Sequence, residues 1–500
     1  MNRSLQRFPK FFHTPARSIK SISEIPGPKG LPYFGTYFKY KFGQWPVDDY
    51  HLTLNKLRDK YGNIVREERC GETVIHVFDP EDAKAIFAAD GRNPYIKPLM
   101  ETTQVYRNQK KMSPGLGNTN GEPWTRLRTA VSPLLMRPES LTNRTLPIID
   151  ETVNDAIKWL VKINNESGEI SDLEKRIPLW QMESGARVVT RKSPGFFNSP
   201  DFGYQMYQAN RDVFRLTAKM KHSLPIYRYV PFLCPNFRKL SIQEDVVFGT
   251  GQKWLDQAWS KYFELAQRDE KLAAEKFSVL HYLHCRDDIS IPERNIIALS
   301  IMFDGLSTTT PTVLALLYCF AMNPAAQEKA SDEARKALMI KNGELNYDIL
   351  GSHLTLIRAC LKEAMRLFTI TTDISRIAQR EIVVGGYRFP KGTVIDINTH
   401  SLFRDPGFIP SPPSPDDFAP QRWIKEEKMK QPHPFLVLPF GHGARMCAGR
   451  RFAEIEMLAF TVRLLAKYRL TWTGDKQLQQ TYETLLYPKG NVAMSLSKRD

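Results

Sequence analysis

Cysteine is scarce in this sequence, and no two cysteines stand at the spacing of a metal-binding or redox pair. The 500 residues include six cysteines: Cys70, Cys234, Cys285, Cys319, Cys360 and Cys447. This small number, without a CxxC pair, excludes a disulfide scaffold and a zinc ribbon and suits a reducing compartment. The signatures HExxH, nucleophile elbow and P-loop are also missing.

The first residues lack both acidic side chains and a long apolar run. Residues 1–23 carry five basic residues, and Glu24 is the first carboxylate. No apolar stretch there approaches the roughly 18 residues that cross a bilayer, which argues against a signal anchor. A basic, serine-containing, acid-free segment is typical of a mitochondrial transit peptide, which we place at residues 1–24. A disordered basic tail is the alternative.

The rest of the composition is typical of one large globular domain. Hydrophobic residues make up 42% and charged residues 25% of the chain, which excludes disorder. Apolar residues recur at three- and four-residue spacing from about 124 to 370, whereas 374–400 and 468–497 resemble strands. Because no repeat or linker interrupts the chain, we predict a single domain over residues 25–500, mainly α with a small β portion.

The densest chemical pattern is the segment FGHGARMCAG at residues 440–449. A lone cysteine such as Cys447 is most often a small buried hydrophobe. Here, however, Gly441 and Gly443 permit a tight turn close to a flat ligand, and an amphipathic helix is predicted to begin just after the cysteine. We expect free backbone amides and the helix dipole to lower the pKa of Cys447, and Arg445 to neutralise an anionic group of the ligand.

This segment resembles the heme-binding loop of the cytochrome P450 family, whose pattern is FxxGxRxCxG. Five positions match: Phe440, Gly443, Arg445, Cys447 and Gly449. The resemblance covers nearly the whole chain from residue 25 and implies the cytochrome P450 fold. It also implies heme b as cofactor, with the Cys447 thiolate on the iron, where a sulfur ligand promotes O–O cleavage.

A second match is the ExxR pattern formed by Glu363 and Arg366. Taken alone, this spacing indicates an ordinary surface pair worth roughly 0.2–0.5 kcal/mol. The family places such a pair before a β region and a loop that carries a third member, which here is Arg422 in FAPQRW. The resemblance implies that these three residues form a structural charge cluster that supports the heme loop.

The family's oxygen-binding motif, [A/G]-G-x-[D/E]-T-T, is altered in this chain. The aligned residues are Asp304, Gly305, Leu306, Ser307, Thr308 and Thr309. Pro311 should open the helix because it deprives the Ser307 carbonyl of its donor. The resemblance implies that O2 binds at Gly305–Thr308 and that Thr308 relays protons, with Asp304 in place of the missing acid. The alternative is a run of hydroxyls that bond back to the backbone of a buried helix.

Further matches point to the heme propionates. Trp124 and Arg128 lie four residues apart, as in the family's WxxxR motif, and Arg376 follows ExxR by about ten residues. An indole N–H and guanidinium groups suit carboxylates. With Arg445 and Phe440, these residues form the expected heme-binding set. His281 and His284 have helical spacing, but nothing near them in sequence supplies a convincing third metal ligand.

Within the family, the chain is most similar to mitochondrial-type members, above all those of nematodes. The features that carry this similarity are the acid-free leader, the sequence CAGRRFAEIEM after the heme loop, and PQRW as the sequence around Arg422. Such members receive electrons from NADPH through a ferredoxin reductase and an acidic [2Fe–2S] ferredoxin. The net charge is +16, of which +11 remains on residues 24–500, and favours an acidic partner. We expect docking at Arg358 and Lys362, with Arg450 and Arg451 nearby. A plain solvated face is the alternative.

The resemblance therefore predicts a monooxygenase that hydroxylates a lipophilic, sterol-like substrate. We expect peripheral attachment to the matrix side of the mitochondrial inner membrane, with the endoplasmic reticulum membrane as second choice, and no nucleic-acid partner. Candidate pocket residues are Phe303, residues 371–373 and the turn at Leu485–Leu486. Because Ser307 replaces an acid, two alternatives stay open: a heme-thiolate isomerase, dehydratase or poorly coupled oxidase, and a non-enzymatic heme- or lipid-binding protein.

Overall fold

The computed structural model of the chain describes residues 19–136, 138–425 and 429–499. Within these ranges the chain forms nineteen α-helices: α1 (Tyr37–Lys41), α2 (Tyr50–Tyr61), α3 (Pro80–Ala88), α4 (Glu101–Gln109), α5 (Gly121–Leu135), α6 (Pro138–Ser167), α7 (Leu173–Thr190), α8 (Pro200–Lys221), α9 (Ile226–Tyr229), α10 (Pro235–Arg268), α11 (Glu270–Lys276), α12 (Ser278–His284), α13 (Ile291–Phe303), α14 (Thr309–Met322), α15 (Pro324–Met339), α16 (Tyr347–Ser352), α17 (Thr355–Leu367), α18 (Thr399–Phe403) and α19 (Arg450–Leu465). The prediction of a mainly α fold is confirmed.

The strands of the described residues form four small sheets. They are β1 (Lys20–Ser21), β2 (Ile64–Arg69), β3 (Glu72–Val77), β4 (Ile374–Ile377), β5 (Ile382–Val384), β6 (Tyr387–Phe389), β7 (Val394–Ile397), β8 (Tyr468–Trp472), β9 (Gln479–Glu483), β10 (Leu485–Lys489) and β11 (Met494–Lys498). The largest sheet has the order β2-β3-β7-β4, and the others are β1-β6-β5, β9-β10 and β8-β11. Both predicted strand regions, 374–400 and 468–497, contain these elements.

The two faces of the largest sheet differ in chemistry. Cross-strand pairing puts Ile64, Val77, Ile397 and Ile374 in one row, on the face that packs into an apolar cluster. The neighbouring row contains Val65, His76, Asp396 and Ser375 and therefore points to the opposite face, because successive side chains alternate along a strand. We call this second face, with Glu67, His76, Ser375 and Asp396, the polar sheet face.

The predicted leader lies almost wholly in residues 1–18, outside the described part of the chain. The described part shows that the fold includes residues before 25. Lys20 and Ser21 pair with Tyr387 and Arg388 of β6, and Ser21 and Glu24 close a capping box around a short 3₁₀ helix. Residues 20–24 thus belong to the folded unit.

The most apolar helical run of the described residues, Ile291–Met322, crosses the centre of the molecule. Its length and composition would allow it to span a membrane, but 72% of its most apolar window is buried inside the protein. Around it pack α7, α10, α17 and α19, whose side chains contribute to the main core. We therefore assign this run to the protein core.

This central run is broken in the middle. Helix α13 ends at Phe303, residues 304–307 form a 3₁₀ turn, and α14 resumes at Thr309. Pro311 has no N–H to offer the Ser307 carbonyl, and its ring disfavours a regular turn there. The predicted opening of the helix at this point is confirmed. Asp304 and Thr308 lie within the break, where the helix is not regular.

Candidate active site

The loop before α19 folds into a compact turn around Cys447. The Cys447 amide donates to the Phe440 carbonyl at 2.9 Å, and the Met446 amide donates to the Gly443 carbonyl at 3.0 Å. Gly441 and Gly443 have φ angles of 73° and 70°, which residues other than glycine rarely adopt. The two glycines predicted to allow a tight turn therefore do so, and the turn holds Cys447 at the start of α19.

The Cys447 thiol faces an internal space. Its side chain is accessible, although protein surrounds it, and the amides of Gly449 and Arg450 point at the sulfur. Burial raises the pKa of the Cys447 thiol and outweighs the lowering by these amides and by Arg128. The prediction of a lowered pKa is therefore wrong for the free thiol. A bound metal ion would itself remove the proton.

Three guanidinium groups converge beside this loop. Arg445 donates to the carbonyls of Pro94 and Thr119 at 2.6 and 2.9 Å, and its guanidinium lies 4.0 Å from the ring centre of Trp124. Burial, together with the charges of Arg376 and Arg128, lowers the pKa of Arg445 to about 10. The structure thus brings together all four residues predicted to bind propionates.

The charges of this cluster are poorly balanced. Arg376 bonds the Asp90 carboxylate at 2.8 Å and the His442 carbonyl at 3.0 Å. The Arg128 guanidinium has no acceptor among the described residues, and burial lowers its pKa. Among the described residues, Asp90 supplies the one carboxylate close to these three cations, and such a site suits a dianionic ligand. The donor set beside an accessible thiol therefore fits a heme with two propionates.

The predicted charge cluster is fully formed in the core. Glu363 accepts both the Nε and the Nη2 of Arg366, at 2.9 and 2.8 Å, and lies 3.4 Å from the Nε of Arg422. Trp423 and the Ala419 amide also donate to Glu363. The guanidinium of Arg366 additionally bonds the carbonyls of Phe403 and Asp417. The cluster therefore ties α17 to α18 and to the turn at Pro420–Trp423.

The broken central helix faces the same interior as the thiol. Thr308 lines a cavity with Ile370, Phe440 and Met457, and its hydroxyl donates to the Asp304 carbonyl at 3.1 Å. Asp304 is near enough to influence Cys447 electrostatically. Burial raises the pKa of the Asp304 carboxyl, against the opposing effect of Arg107. Asp304, whose carbonyl accepts from Thr308, therefore lies near the predicted iron ligand.

Two contacts at the break could not be predicted from the sequence. Ser307 is buried and donates to Asn210 of α8 at 2.7 Å. Gly305 packs against Gln181 of α7, where a Cβ would collide with the Gln181 amide. Neither Asn210 nor Gln181 lies in a recognisable motif, because their roles depend on which helices cross at the break.

Some candidate residues lie elsewhere. The Phe303 ring packs in the core against Gly251 and Trp254, so its prediction as a pocket residue is wrong. His281 shares a 3.0 Å hydrogen bond with the Tyr262 hydroxyl. Leu486 is buried, and its amide donates to the carbonyl of Ile370, which lines the cavity.

Comparison with known proteins agrees with this geometry. The family described as cytochrome P450 matches residues 25–495. The chain belongs to the cytochrome P450 family. It is 38% identical to the probable cytochrome P450 CYP44 of Caenorhabditis elegans over 97% of this chain and 96% of the relative. Two mitochondrial relatives are cytochrome P450 302a1 of Drosophila melanogaster, 28% identical over 96% of both chains, and 1,25-dihydroxyvitamin D(3) 24-hydroxylase of Mus musculus, 24% identical over 96% of this chain and 90% of the relative.

As a cytochrome P450, this protein is a heme-thiolate monooxygenase that binds heme through a cysteine thiolate ligand to the iron. The bound heme supplies the redox and oxygen chemistry. In this P450, the Phe440–Gly449 turn would present the thiol to the iron, and Arg128, Arg376 and Arg445 would offer cations to the propionates. The Thr308 hydroxyl donates to the Asp304 carbonyl, and Asp304 lies near the thiol.

Proposed function

We propose that this P450 hydroxylates a lipophilic molecule with O2 and with electrons from a [2Fe–2S] ferredoxin. The observation that supports the proposal is the closeness of the broken central helix to the Cys447 thiol. Asp304 is near enough to influence the thiol electrostatically, and the Thr308 hydroxyl, which donates to the Asp304 carbonyl, lines a cavity together with Phe440 of the cysteine turn. Apolar side chains dominate the lining there, among them Met365, Phe368 and Ile370. Such a lining favours a lipophilic substrate.

The proton supply is assigned to Asp304. Ser307 occupies the family's acid position, but its hydroxyl is committed to Asn210. Asp304 lies one turn earlier, carries a carboxyl whose pKa burial raises, and has a backbone carbonyl that accepts from Thr308. A carboxyl that is harder to ionise in a buried site is suited to giving up a proton to an anionic group. Thr308 and Asp304 therefore take the place of the usual acid–alcohol pair.

The decisive experiment compares oxygen and NADPH consumption with product formed, in the wild type and in Asp304→Asn. We expect matched stoichiometry in the wild type. Loss of the carboxyl should lower product per NADPH by roughly 10-fold or more, because general acid catalysis contributes about 10²–10⁴-fold. Oxygen uptake should persist and end as reduced oxygen species.

Ser307→Ala is the matched comparison because it removes a hydroxyl from the same turn. Its stoichiometry should stay near that of the wild type, and the opposite ranking of the two variants would transfer the proton role to Ser307. Product formed without oxygen or NADPH would instead identify an isomerase or dehydratase. Heme binding with no turnover of any lipophile would favour a binding protein.

The ferredoxin is proposed to dock on α17. Lys362 is exposed and Arg358 half-buried, four residues apart. Partial desolvation of the Lys362 ammonium and the neighbouring charge of Arg450 lower the pKa of Lys362, and the closeness of Arg450 supports one basic surface formed by α17 and the start of α19. Lys362 lies 4.0 Å from the ring centre of Trp423, and the Trp423 N–H donates to Glu363. The proposed docking surface on α17 therefore lies directly over the Glu363–Arg366–Arg422 charge cluster.

Charge reversal tests this surface. Arg358→Glu with Lys362→Glu should slow reduction by a vertebrate-type acidic ferredoxin roughly 10-fold at low salt, because steering by complementary charge changes association rates by 10-fold or more. Stopped-flow reduction kinetics at several salt concentrations are the measurement, and the difference should shrink as salt rises. Reduction by dithionite should be unchanged.

The control is Lys158→Glu with Lys162→Glu on α6, which makes the same charge change at the same spacing on exposed residues. If both double variants slow reduction by the ferredoxin equally, the net charge of the protein is responsible rather than a docking surface. If neither does, docking lies elsewhere.

Attachment to the mitochondrial inner membrane is proposed on two grounds. Several relatives are named as mitochondrial proteins. In addition, Tyr229, Phe232 and Leu233 are 78%, 67% and 62% exposed on the segment between α8 and α10. A cluster of exposed large apolar side chains is typical of a surface that contacts a membrane or a partner.

A further inference from the structure

Helix α7 passes directly behind the break in the central helix. A Cβ on Gly305 would come within 2.1 Å of Gln181 Nε2, and a Cβ on Gly185 would come within 2.6 Å of the Met302 carbonyl oxygen. Each of the two chain segments thus contributes one glycine, and the two glycines allow a close approach. The Gln181 side chain therefore lies against the turn at residues 304–307.

The Gln181 amide also contacts a carboxyl group of α19. Glu456 Oε1 accepts from the Ser184 hydroxyl at 2.7 Å, and the Gln181 side chain hydrogen-bonds to the same carboxyl. Gln181 and Glu456 are 1% and 0% exposed. The Gln181 amide therefore lies between the Glu456 carboxyl of α19 and Gly305 of the turn, where bulk water reaches neither side chain.

Glu456 has no cation beside it among the described residues. Glu183 of α7 is equally buried, but it forms an ion pair with Arg187 at 2.9 Å. The polar groups that influence the Glu456 carboxyl are the Ser184 hydroxyl and the Gln181 amide, and both are uncharged. Burial outweighs them and raises the pKa of Glu456 to about 8, so the carboxylic acid is the main form at neutral pH.

A proton on Glu456 completes the hydrogen bonding between the two side chains. Glu456 Oε2 and Gln181 Oε1 are buried, and neither has a hydrogen-bond partner within the described ranges. Both oxygens are acceptors while the carboxyl is ionised, whereas a carboxylic acid has one O–H to donate. With the proton on Oε2, Glu456 can donate to Gln181 Oε1. This arrangement satisfies both oxygens, as native structures do for nearly all buried polar groups.

We propose that Glu456 and Gln181 are positioning residues for proton delivery: the carboxylic acid of Glu456 pairs with the Gln181 amide, and this pair fixes the turn that carries Asp304. Both residues act through that turn, whose Asp304 carbonyl accepts the hydrogen bond from Thr308. The inference rests on the proposed function, because that function places proton delivery at Asp304 and Thr308.

Ionisation of Glu456 should take the pair apart. Without the proton, a carboxylate oxygen faces an amide oxygen, and the two repel each other. The Gln181 amide then loses a bond that holds it against Gly305. Because burial raises the pKa of Glu456 to about 8, the pair is complete at neutral pH and is lost as the pH rises through that value.

The first test measures product formed per NADPH by the heme-loaded, full-length protein from neutral to alkaline pH. The wild type should lose about 3-fold across the ionisation, because one net hydrogen bond is worth about that factor. Glu456→Gln retains an amide that can pair with Gln181 but cannot ionise, so this variant should lack the alkaline decline. Glu275→Gln makes the same change at an exposed glutamate of α11 and should follow the wild type.

The second test uses readouts that need no turnover. Infrared spectra of the wild type at neutral pH should show the C=O stretch of a protonated carboxylic acid, which Glu456→Gln removes. Amide hydrogen exchange in residues 300–310 should rise about 3-fold in Glu456→Leu and in Gln181→Leu, because each variant removes one member of the pair. The double variant should exchange no faster than either single variant, because the two side chains act together.

Three results would overturn the proposal: an alkaline decline that persists in Glu456→Gln, a wild type without the carboxylic-acid band, or leucine substitutions whose effects on exchange add. Failure of the proposed function gives a different result. Asp304→Asn would then leave product per NADPH unchanged, while exchange in residues 300–310 still rises in Glu456→Leu. If the leucine variants lose the thiolate band of the carbon-monoxide difference spectrum through misfolding, the pH profile and infrared spectrum of Glu456→Gln decide.

Discussion

Replacement of Cys447 by serine is expected to remove the thiolate-type band from the carbon-monoxide difference spectrum and to reduce turnover to background. The Phe440–Gly449 turn holds the thiol, and the amides of Gly449 and Arg450 point at it. A group that merely orients a metal ligand is worth about 10–100-fold in affinity or activity. Loss of the metal ligand itself should lower heme affinity and activity by more than that factor.

The matched control is Cys285→Ser, which makes the same atomic change at an exposed cysteine on the end of α12. It should retain both spectrum and activity. If Cys447→Ser keeps the Soret absorption, the thiolate band and turnover, then the assignment of Cys447 as the iron ligand is wrong, and the proposed function is lost with it.

Glu363→Gln is expected to destabilise the protein by about 3–5 kcal/mol, the usual cost of leaving a buried charge without its partner. Arg366 and Arg422 are 0% and 1% exposed, so water cannot replace the missing carboxylate. The measurement is the free energy of unfolding from urea titration, together with the heme content of the purified protein. We expect a lower urea midpoint and poor heme retention.

The chain contains its own comparison for this variant. Asp332 and Arg335 on α15 form an ion pair with the same spacing and the same 2.8 Å distance, but both are exposed. Asp332→Asn should cost at most about 0.5 kcal/mol, as surface pairs do. Equal effects of the two substitutions would show that burial does not govern the contribution of Glu363.

The local parts of the site were predictable from sequence because spacing alone determines them. Glu363 and Arg366 are three residues apart on a helix, and Gly441 and Gly443 flank a turn that demands positive φ. The opening of the central helix followed from Pro311, whose missing N–H is a property of one residue. Each of these features depends on a short stretch of chain.

The parts that sequence could not predict depend on elements far apart in the chain. Ser307 bonds Asn210, 97 residues away, and the balance of charge around Arg445 needs Asp90 and Arg128 to be placed in space. The pKa of Cys447 was mispredicted for the same reason, because the sequence shows the helix dipole but not the depth of burial. The polar sheet face also required cross-strand register, since a shift by one residue would have turned it over.

Adjacent residues of α17 face opposite environments. Lys362 covers the ring of Trp423 on the outside, while Glu363 accepts the Trp423 N–H on the inside. Divergence of the proposed partner-binding surface is consequently constrained during evolution, because a cation at position 362 also covers the indole of Trp423 and a neutral or acidic side chain would not. Changes in redox-partner preference among descendants of this chain should accumulate first at Arg358 and Arg451.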